Sequence, residues 1–290
     1  MVLLFLQQTA NGLVQGSVYA LIAIGLTLIF GIMRVINVAQ GAFYMLGGFT
    51  TYVVLKRLQW GYAAALPAAV AVVALIAVAC EKLAVKPLRG RGEVVSLLAT
   101  SGAAVVLENL VHLVFGPTPL TVRTPMAYAP VVLGGVYLTQ QKLFVLLAAC
   151  GLSVGVALFV RRGRWGRAIR AVARDQETAA LMGVNVDVTY TLVFALGGAL
   201  AAVAGTLLAP LYDVEPLMGN FMLIKAFIVI VMGGMGNIAG AFGGGLVLGV
   251  AESLGGGFLS IDYKDTFGLV MMIAVLLWRP EGLFRRARRA

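Results

Sequence analysis

Carboxylates set inside apolar runs are where this chain could do chemistry. Glu108, beside Asn109, and Glu252, beside Ser253, each interrupt a long hydrophobic stretch. A carboxylate in hydrocarbon is costly and tends to be functional. Glu108 and His112 lie four residues apart on one helical face, where a hydrogen bond between them could serve a proton relay. A structural hydrogen bond to a neighbouring helix, or a place near the membrane interface, explains these residues as well. One histidine and scattered acids make neither a metal site nor a catalytic triad, so no catalytic or metal-binding residue is assigned.

Glycine forms the second pattern. Seven of the thirteen residues from Gly233 to Gly245 are glycine. Each interior glycine costs a helix about 1 kcal/mol relative to alanine, so the run predicts a broken or sharply bent connection. It is not a phosphate loop, because no Gly-Lys-Ser/Thr follows and the chain has no Gly-Lys pair. Upstream, Asn37-Val-Ala-Gln-Gly41 follows Arg34. Asn37 can cap a helix, which puts Gln40 and Gly41 at membrane depth or close to it. A glycine there permits either close helix packing or a break that frees backbone groups toward a pathway.

The longest polar interval runs from Arg161 to Asp187 and holds six arginines: Arg161, Arg162, Arg164, Arg167, Arg170 and Arg174. Within it Asp175 can cap a short helix, Glu177 sits in the first turn where the dipole favours a carboxylate, and Gly183 can end it at positive φ. A helix of about two turns, Gln176 to Met182, is predicted, with a small apolar face around Ala179 and Ala180. Its polar faces exclude it from hydrocarbon, so it should project into the cytoplasm, held beneath the membrane by Trp165 and the arginines. One reading is a loop that only fixes topology; the other is a docking knob for a soluble partner.

These patches need a scaffold, and composition says which. Of 290 residues 61% are hydrophobic and 12% charged. A soluble domain carries about 25% charge, and one this poor in charge could not solvate its surface. A polytopic membrane protein can, since lipid covers its sides. The 36 glycines suit closely packed membrane helices. The net charge of +10 does not imply nucleic acid, because the basic residues sit in short loops. Cys80 and Cys150 lie in apolar segments and suggest no disulfide framework. The N-terminus lacks the basic region of a signal peptide, so no cleaved leader is expected.

The fold expected is an all-α polytopic membrane protein of eight or nine transmembrane helices with broken glycine-rich segments. Candidate spans are about 10–30, 38–55, 62–81, 94–115, 142–160, 188–209, 221–236, 240–257 and 264–279. The seventh and last are short enough to be tilted, broken or partly re-entrant. Fifteen of the 22 basic residues cluster after spans three, five and nine; they include Lys82, Lys86, Arg89 and Arg91, and Arg279, Arg285, Arg286, Arg288 and Arg289. Asp213, Glu215, Asp262 and Asp265 fall on the opposite side, which makes the C-terminus cytoplasmic. The outer interval 116–143 contains VVLGGVYLTQQ, a candidate hairpin around Gly134 and Gly135. One permease domain spans 1–290: a first half 1–115, an outer segment and linking helix 116–160, the cytoplasmic loop 161–187 and a second half 188–290. Span five reverses the sense, so the halves would form an inverted repeat. Faint echoes agree: Gly25-Leu-Thr-Leu with Gly205-Thr-Leu-Leu, Gly41-Ala-Phe with Gly219-Asn-Phe, and Ala79-Cys-Glu81 with Val250-Ala-Glu252.

Four stretches carry a family resemblance: NGLVQGSVYALIAIGLTLIFGIMRVINVAQGAFYMLGGF at 11–49, CEKLAVKPLRGRGEVVSLLATSG at 80–102, MGNFMLIKAFIVIVMGGMGNIAGAFGGGLVLGVAES at 218–253, and the closing WRPEGLF. In these the chain resembles the membrane permease subunit of branched-chain amino acid ABC importers, the LivH type, over nearly its whole length. The resemblance implies a bacterial inner-membrane subunit paired with a homologous permease of the LivM type. It implies two ATP-binding cassette subunits that hold the ATP, so no cofactor on this chain, and a periplasmic solute-binding protein. Glu177-Thr-Ala179-Ala180-Leu-Met-Gly183 looks like the family's E-x-A-A-x-x-G coupling motif, with Asp175 before it, though the surrounding motif is looser than the family pattern. The family transfers no proven solute ligand; Asn37, Gln40, Gly41 and Gly219 are the pathway candidates, with Glu252 in support. An ion-coupled carrier using Glu108 and Glu252, a passive facilitator and a scaffold are the competing classes. Leucine, isoleucine and valine are the family default, while relatives carry urea, short amides or aromatic compounds.

Overall fold

The computed structural model describes residues 1–260, 263–279 and 282–284. Its helices are α1 (Val2–Met33), α2 (Ala39–Tyr52), α3 (Tyr62–Cys80), α4 (Glu93–Phe115) and α5 (Pro125–Tyr128), then a hairpin of β1 (Pro130–Leu133) and β2 (Val136–Thr139). There follow α6 (Gln140–Arg162), α7 (Arg164–Arg174), α8 (Gln176–Leu181), α9 (Val186–Leu208), α10 (Met218–Gly233), α11 (Ile238–Phe258) and α12 (Lys264–Trp278). The nine expected spans correspond in order to α1–α4, α6 and α9–α12. Six helical stretches are long and apolar enough to cross a membrane: Val2–Met33, Tyr62–Leu88, Glu93–Phe115, Gln140–Arg162, Val186–Leu208 and Ile238–Phe258. Together they make the chain a multi-pass membrane protein.

Burial separates the helices into two kinds. In α1 every residue from Gly16 to Ile29 is buried, as an uncharged helix that is apolar all round requires. In α3 the buried positions are Ala65, Ala69, Val73 and Ala77, a single stripe four residues apart. α4 and α6 likewise bury one stripe and expose Leu98, Leu110, Leu113, Leu147 and Leu158. Apolar faces of that extent are covered by lipid in a membrane protein.

The hairpin marks one end of the bundle and α8 the other. The N-terminus of α1 meets the hairpin, where the Gln7 side chain donates to Tyr137 O (2.7 Å) and accepts from Tyr137 N (2.8 Å). Gly134 and Gly135, at φ 58° and 89°, form the two-residue turn that joins β1 to β2, which pair Leu133 with Val136. The C-terminal end of α1, at Arg34, lines a cavity with α8 residues. Asp262, Arg285, Arg286, Arg288, Arg289 and the Pro280-Glu281 of the closing motif lie outside the described residues.

Three features differ from the sequence expectation. α2 starts inside the bundle, because the Gln40 side chain donates to Gly197 O (2.9 Å), at the midpoint of α9. α10 starts at the same depth, because Gly219 packs directly on Gly41. Both helices therefore begin within the bundle rather than at its edge. The glycine run is broken only between Gly233 and Ile238, with Gly234 and Gly236 at positive φ; the later glycines are helical within α11. They are retained in a helix because a Cβ at Gly245 would stand 2.7 Å from the backbone of Ala20 in α1. The arginine-rich loop contains a further helix, α7, which buries Gly166, Ile169 and Val172 at three-residue spacing.

Neighbour relations repeat with opposite sense. α3 packs on α9 as α11 packs on α1, α2 on α9 as α10 on α1, and α4 on α2 as α12 on α10, with α2 and α10 crossing each other. That is the pairing two four-helix units of inverted topology generate.

Candidate coupling and translocation site

At the α8 end, local chemistry closes α8 on both sides. Asp175 Oδ1 accepts from Glu177 N (3.0 Å) and Thr178 N (3.1 Å), and its Oδ2 accepts from the Thr178 hydroxyl (2.7 Å). The Thr178 bonds, with the Glu177 amide, hold the Asp175 carboxyl below the usual carboxylate range. At the other terminus Gly183, at φ 83°, donates to Ala180 O, and Val184 N donates to Ala179 O, the two bonds of a Schellman cap. The expected apolar face splits. Ala179 is buried, whereas Ala180 turns outward beside Leu181 and Met182, which are 89% and 81% exposed. Six residues thus present an apolar tip to whatever lies beyond the bundle, with Glu177 exposed at the other end of the helix.

A polar joint ties α8 to the bundle. The Tyr190 hydroxyl in α9 donates to Gln176 Oε1 (2.7 Å). The Arg89 guanidinium lies 4.5 Å from the Tyr190 ring centroid and bonds the Glu81 carboxylate and Asp187 Oδ1 (2.6 Å). Lys86 also pairs with Asp187 (2.8 Å), and the Thr191 hydroxyl donates to Glu81 Oε2 (2.9 Å). Burial lowers the Arg89 pKa from its ordinary value, which its acidic neighbours oppose. α8 is thus bonded to α9 directly, and the Arg89 guanidinium stacked on Tyr190 links α9 to Glu81, just after α3.

The pathway candidates fall in two places. Asn37 and Gln40 are fully buried, with Asn37 Oδ1 accepting from Ala39 N (3.2 Å) and Gln40 bonded to Gly197 O. A Cβ on Gly41 would stand 2.5 Å from Gly219 O, so the α2–α10 crossing admits no side chain. The structure thus brings Asn37, Gln40, Gly41 and Gly219 into one junction where α2 and α10 begin.

Glu252 belongs elsewhere, toward the hairpin end. It is buried, bonded to the Lys225 ammonium of α10 and to the Tyr19 hydroxyl of α1 (3.1 Å). Lys225 also pairs with Asp265 (2.8 Å). Glu252 borders a cavity of about 440 Å3 whose polar lining includes Gln8, Asn11, Gln15, Lys142, Ser253 and Lys264. Glu108 is half-buried with Asn220 of α10 nearby, while His112 is exposed.

Sequence reading missed Lys225, Arg89 with Glu81, and Tyr190. A lone lysine in the apolar run MLIKAFIVIV was the available signal for a partner to Glu252. The echo of Ala79-Cys-Glu81 in Val250-Ala-Glu252 pointed to Glu81. Nothing local marks Tyr190. The closing residues Gly282, Leu283 and Phe284 fold onto the α10–α11 break, where Leu283 N donates to Met232 O (2.7 Å) and Asn237 donates to Phe284 O (3.1 Å).

A family model described as "Branched-chain amino acid transport system / permease component" matches residues 8–276. The high-affinity branched-chain amino acid transport system permease protein LivH of Escherichia coli (strain K12) is 35% identical, over 98% of this chain and 96% of its own length. The corresponding permease protein BraD of Pseudomonas aeruginosa is 36% identical, over 97% and 96%. The fructose import permease protein FrcC of Rhizobium meliloti is 35% identical over 41% of this chain and 35% of its own. No solved structure matches.

Proposed function

The chain belongs to the permease-component family of branched-chain amino acid transport systems, and from that premise we propose that it is one membrane half of an ABC importer carrying branched-chain amino acids or a similar small polar solute inward. It pairs with a homologous permease of the LivM type, is driven by two ATP-binding cassette subunits that bind the nucleotide, and receives solute from a periplasmic binding protein. It resides in the bacterial inner membrane with the α8 end and the C-terminus in the cytoplasm. The hydrolytic chemistry is the partners'; this chain contributes a conduit and a lever.

The observation that carries the reading is α8. Its ends are closed by Asp175 and Gly183, its tip exposes Leu181 and Met182, and Gln176 hands its position to Tyr190. Closure of the ATPases would push α8, and α9 and α3 would tilt with it. Helices α2 and α10, hinged at Gly41 and Gly219 beside Asn37 and Gln40, would then open one end of the pathway as the other closes. In this reading Glu252 holds the hairpin-end wall through Lys225 and Tyr19. Ion coupling finds no support: Glu252, one of the two carboxylates it would use, is committed to Lys225 and Tyr19.

The test is reconstitution of the complex in vesicles with its binding protein. ATP-driven leucine uptake is expected, insensitive to collapse of ion gradients. Glu177→Lys or Gly183→Val should abolish stimulation of ATPase activity by loaded binding protein while the complex still assembles. Unchanged stimulation in both variants would overturn the role of α8.

A further inference from the structure

The cavity at the hairpin end continues into a second one. The first, about 440 Å3, and the second, about 240 Å3, share Gln15, Leu208, Tyr212 and Lys264 in their walls. Combined they fall in the range of about 300–1,000 Å3 typical of small-molecule sites. Their linings differ in kind. In the first, two ammonium groups are held by neutral amides of one α1 face: Lys142 donates to Asn11 Oδ1 (2.8 Å) and Lys264 to Gln15 Oε1 (2.7 Å). Among the described residues neither lysine forms an ion pair with a carboxylate. An ammonium has three donors, so each lysine keeps donors for a guest. Glu252, the carboxylate at this wall, is already bonded to Lys225 and Tyr19. The second chamber is lined by Tyr44, Met218, Phe221 and Met222, with Asp213 and Glu215 at its border.

We propose that this double cavity is a solute site within the permease itself, built for a zwitterionic amino acid with an apolar side chain. The carboxylate of the guest meets Lys142 and Lys264. Its ammonium faces Asp213 and Glu215, and its side chain lies against Met218, Phe221 and Met222. Methionine is flexible and polarisable, so that wall accepts side chains of differing shape. The inference rests on the importer reading and adds to it: discrimination continues after the binding protein has released its cargo.

The experiment uses the assembled complex in nanodiscs, without binding protein or ATP, and radiolabelled leucine as the probe. Saturable binding is expected. Leucinamide, which lacks the carboxylate, should compete at least tenfold more weakly than leucine, and Lys264→Gln and Lys142→Gln should each weaken leucine binding at least tenfold. Lys264→Arg, which keeps the charge, should restore most of it, and Lys82→Gln at the far end should leave it unchanged. Met222→Ala should narrow the preference for leucine over alanine. Absence of saturable binding, equal competition by leucinamide, or wild-type binding by both lysine→Gln variants would overturn the site. If ATP-driven uptake fails in the wild-type complex, the importer reading falls; if uptake persists with unaltered KM and rate in both lysine variants, only the cavity assignment falls.

Discussion

Replacing Gly41 with alanine tests the central junction most sharply. In an open helix the change gains about 1 kcal/mol of helix propensity. Here the new Cβ stands 2.5 Å from Gly219 O and 2.9 Å from Gly219 C, atoms of a backbone that no rotamer change can move. Restoring the 3.4 Å of ordinary contact from 2.5 Å requires α2 and α10 to part by about 0.9 Å. A gap of that size forfeits a quarter to a half of the dispersion energy along the seam. It also stretches the Gln40–Gly197 bond, worth about 1 kcal/mol. Overpacking of this kind costs about 1–3 kcal/mol, so a net loss of roughly 2 kcal/mol is expected after the propensity gain. Thermal unfolding of the purified complex should then shift down by about 4–8 °C. Gly151→Ala in α6 is the control, because its Cβ meets nothing within 4 Å. It should be neutral or stabilising. A Gly41→Ala complex as stable as the Gly151→Ala complex would refute the close crossing and the hinge built on it.

Other substitutions probe the α8 end. Arg89→Met leaves Glu81 buried with only Thr191, and should cost about 3 kcal/mol, the lower end for a broken buried pair since the arginine side chain is 20% exposed. The double change with Glu81→Gln should recover most of that in thermal unfolding; a double variant no better than the single one would argue against the pair. Leu181→Ser with Met182→Ser should weaken capture of the ATPase subunits in pull-down without lowering thermal stability, because both side chains are exposed. Asp175 has a folded pKa below its unfolded value of about 3.9, so its cap is fully present above that value and lost only as pH falls through the lower folded pKa. Exchange protection of the Glu177 and Thr178 amides, corrected for intrinsic rate, should therefore be equal at pH 7 and pH 5, and should drop in Asp175→Ala at both.

Much of this was legible because it is local. Hydropathy located nine segments, the Asp175 and Gly183 positions framed α8, and Gly134-Gly135 set a two-residue turn. What stayed hidden depends on depth and on distant partners. Hydropathy treats Gln40 as one polar residue in an apolar run; only its bond to Gly197 reveals that α2 begins halfway through the bundle. The glycines of α11 looked helix-breaking because propensity is a one-helix property. Their tight seam with Ala20 and Gly16 in α1 offsets it. Ala179 and Ala180 are adjacent and equally apolar, so sequence could not say that one is buried and the other exposed. Tyr190 and Arg89 are about a hundred residues apart, and nothing in either local stretch announces the stacking.

The two buried glutamates complete the logic of the inverted halves. Glu81 and Glu252 are both fully buried, and each is bonded to one basic residue and one hydroxyl from other elements: Arg89 with Thr191, and Lys225 with Tyr19. They sit toward opposite ends, Glu81 just after the end of α3 and Glu252 near the end of α11, two helices of opposite sense. Buried ion pairs add little net stability over apolar packing, so their value lies in holding elements in one register. At one end the fixed register is that of α3, α9 and, through Tyr190, α8. At the other it is that of α1, α10 and α11 around the cavity. Replacing Glu252 and Lys225 together by Gln and Met should therefore leave thermal stability within about 1 kcal/mol yet raise the KM for uptake, because the cavity wall loses its fixed geometry. A double variant that unfolds early but transports with wild-type KM would show that the pair serves the fold and not the passage.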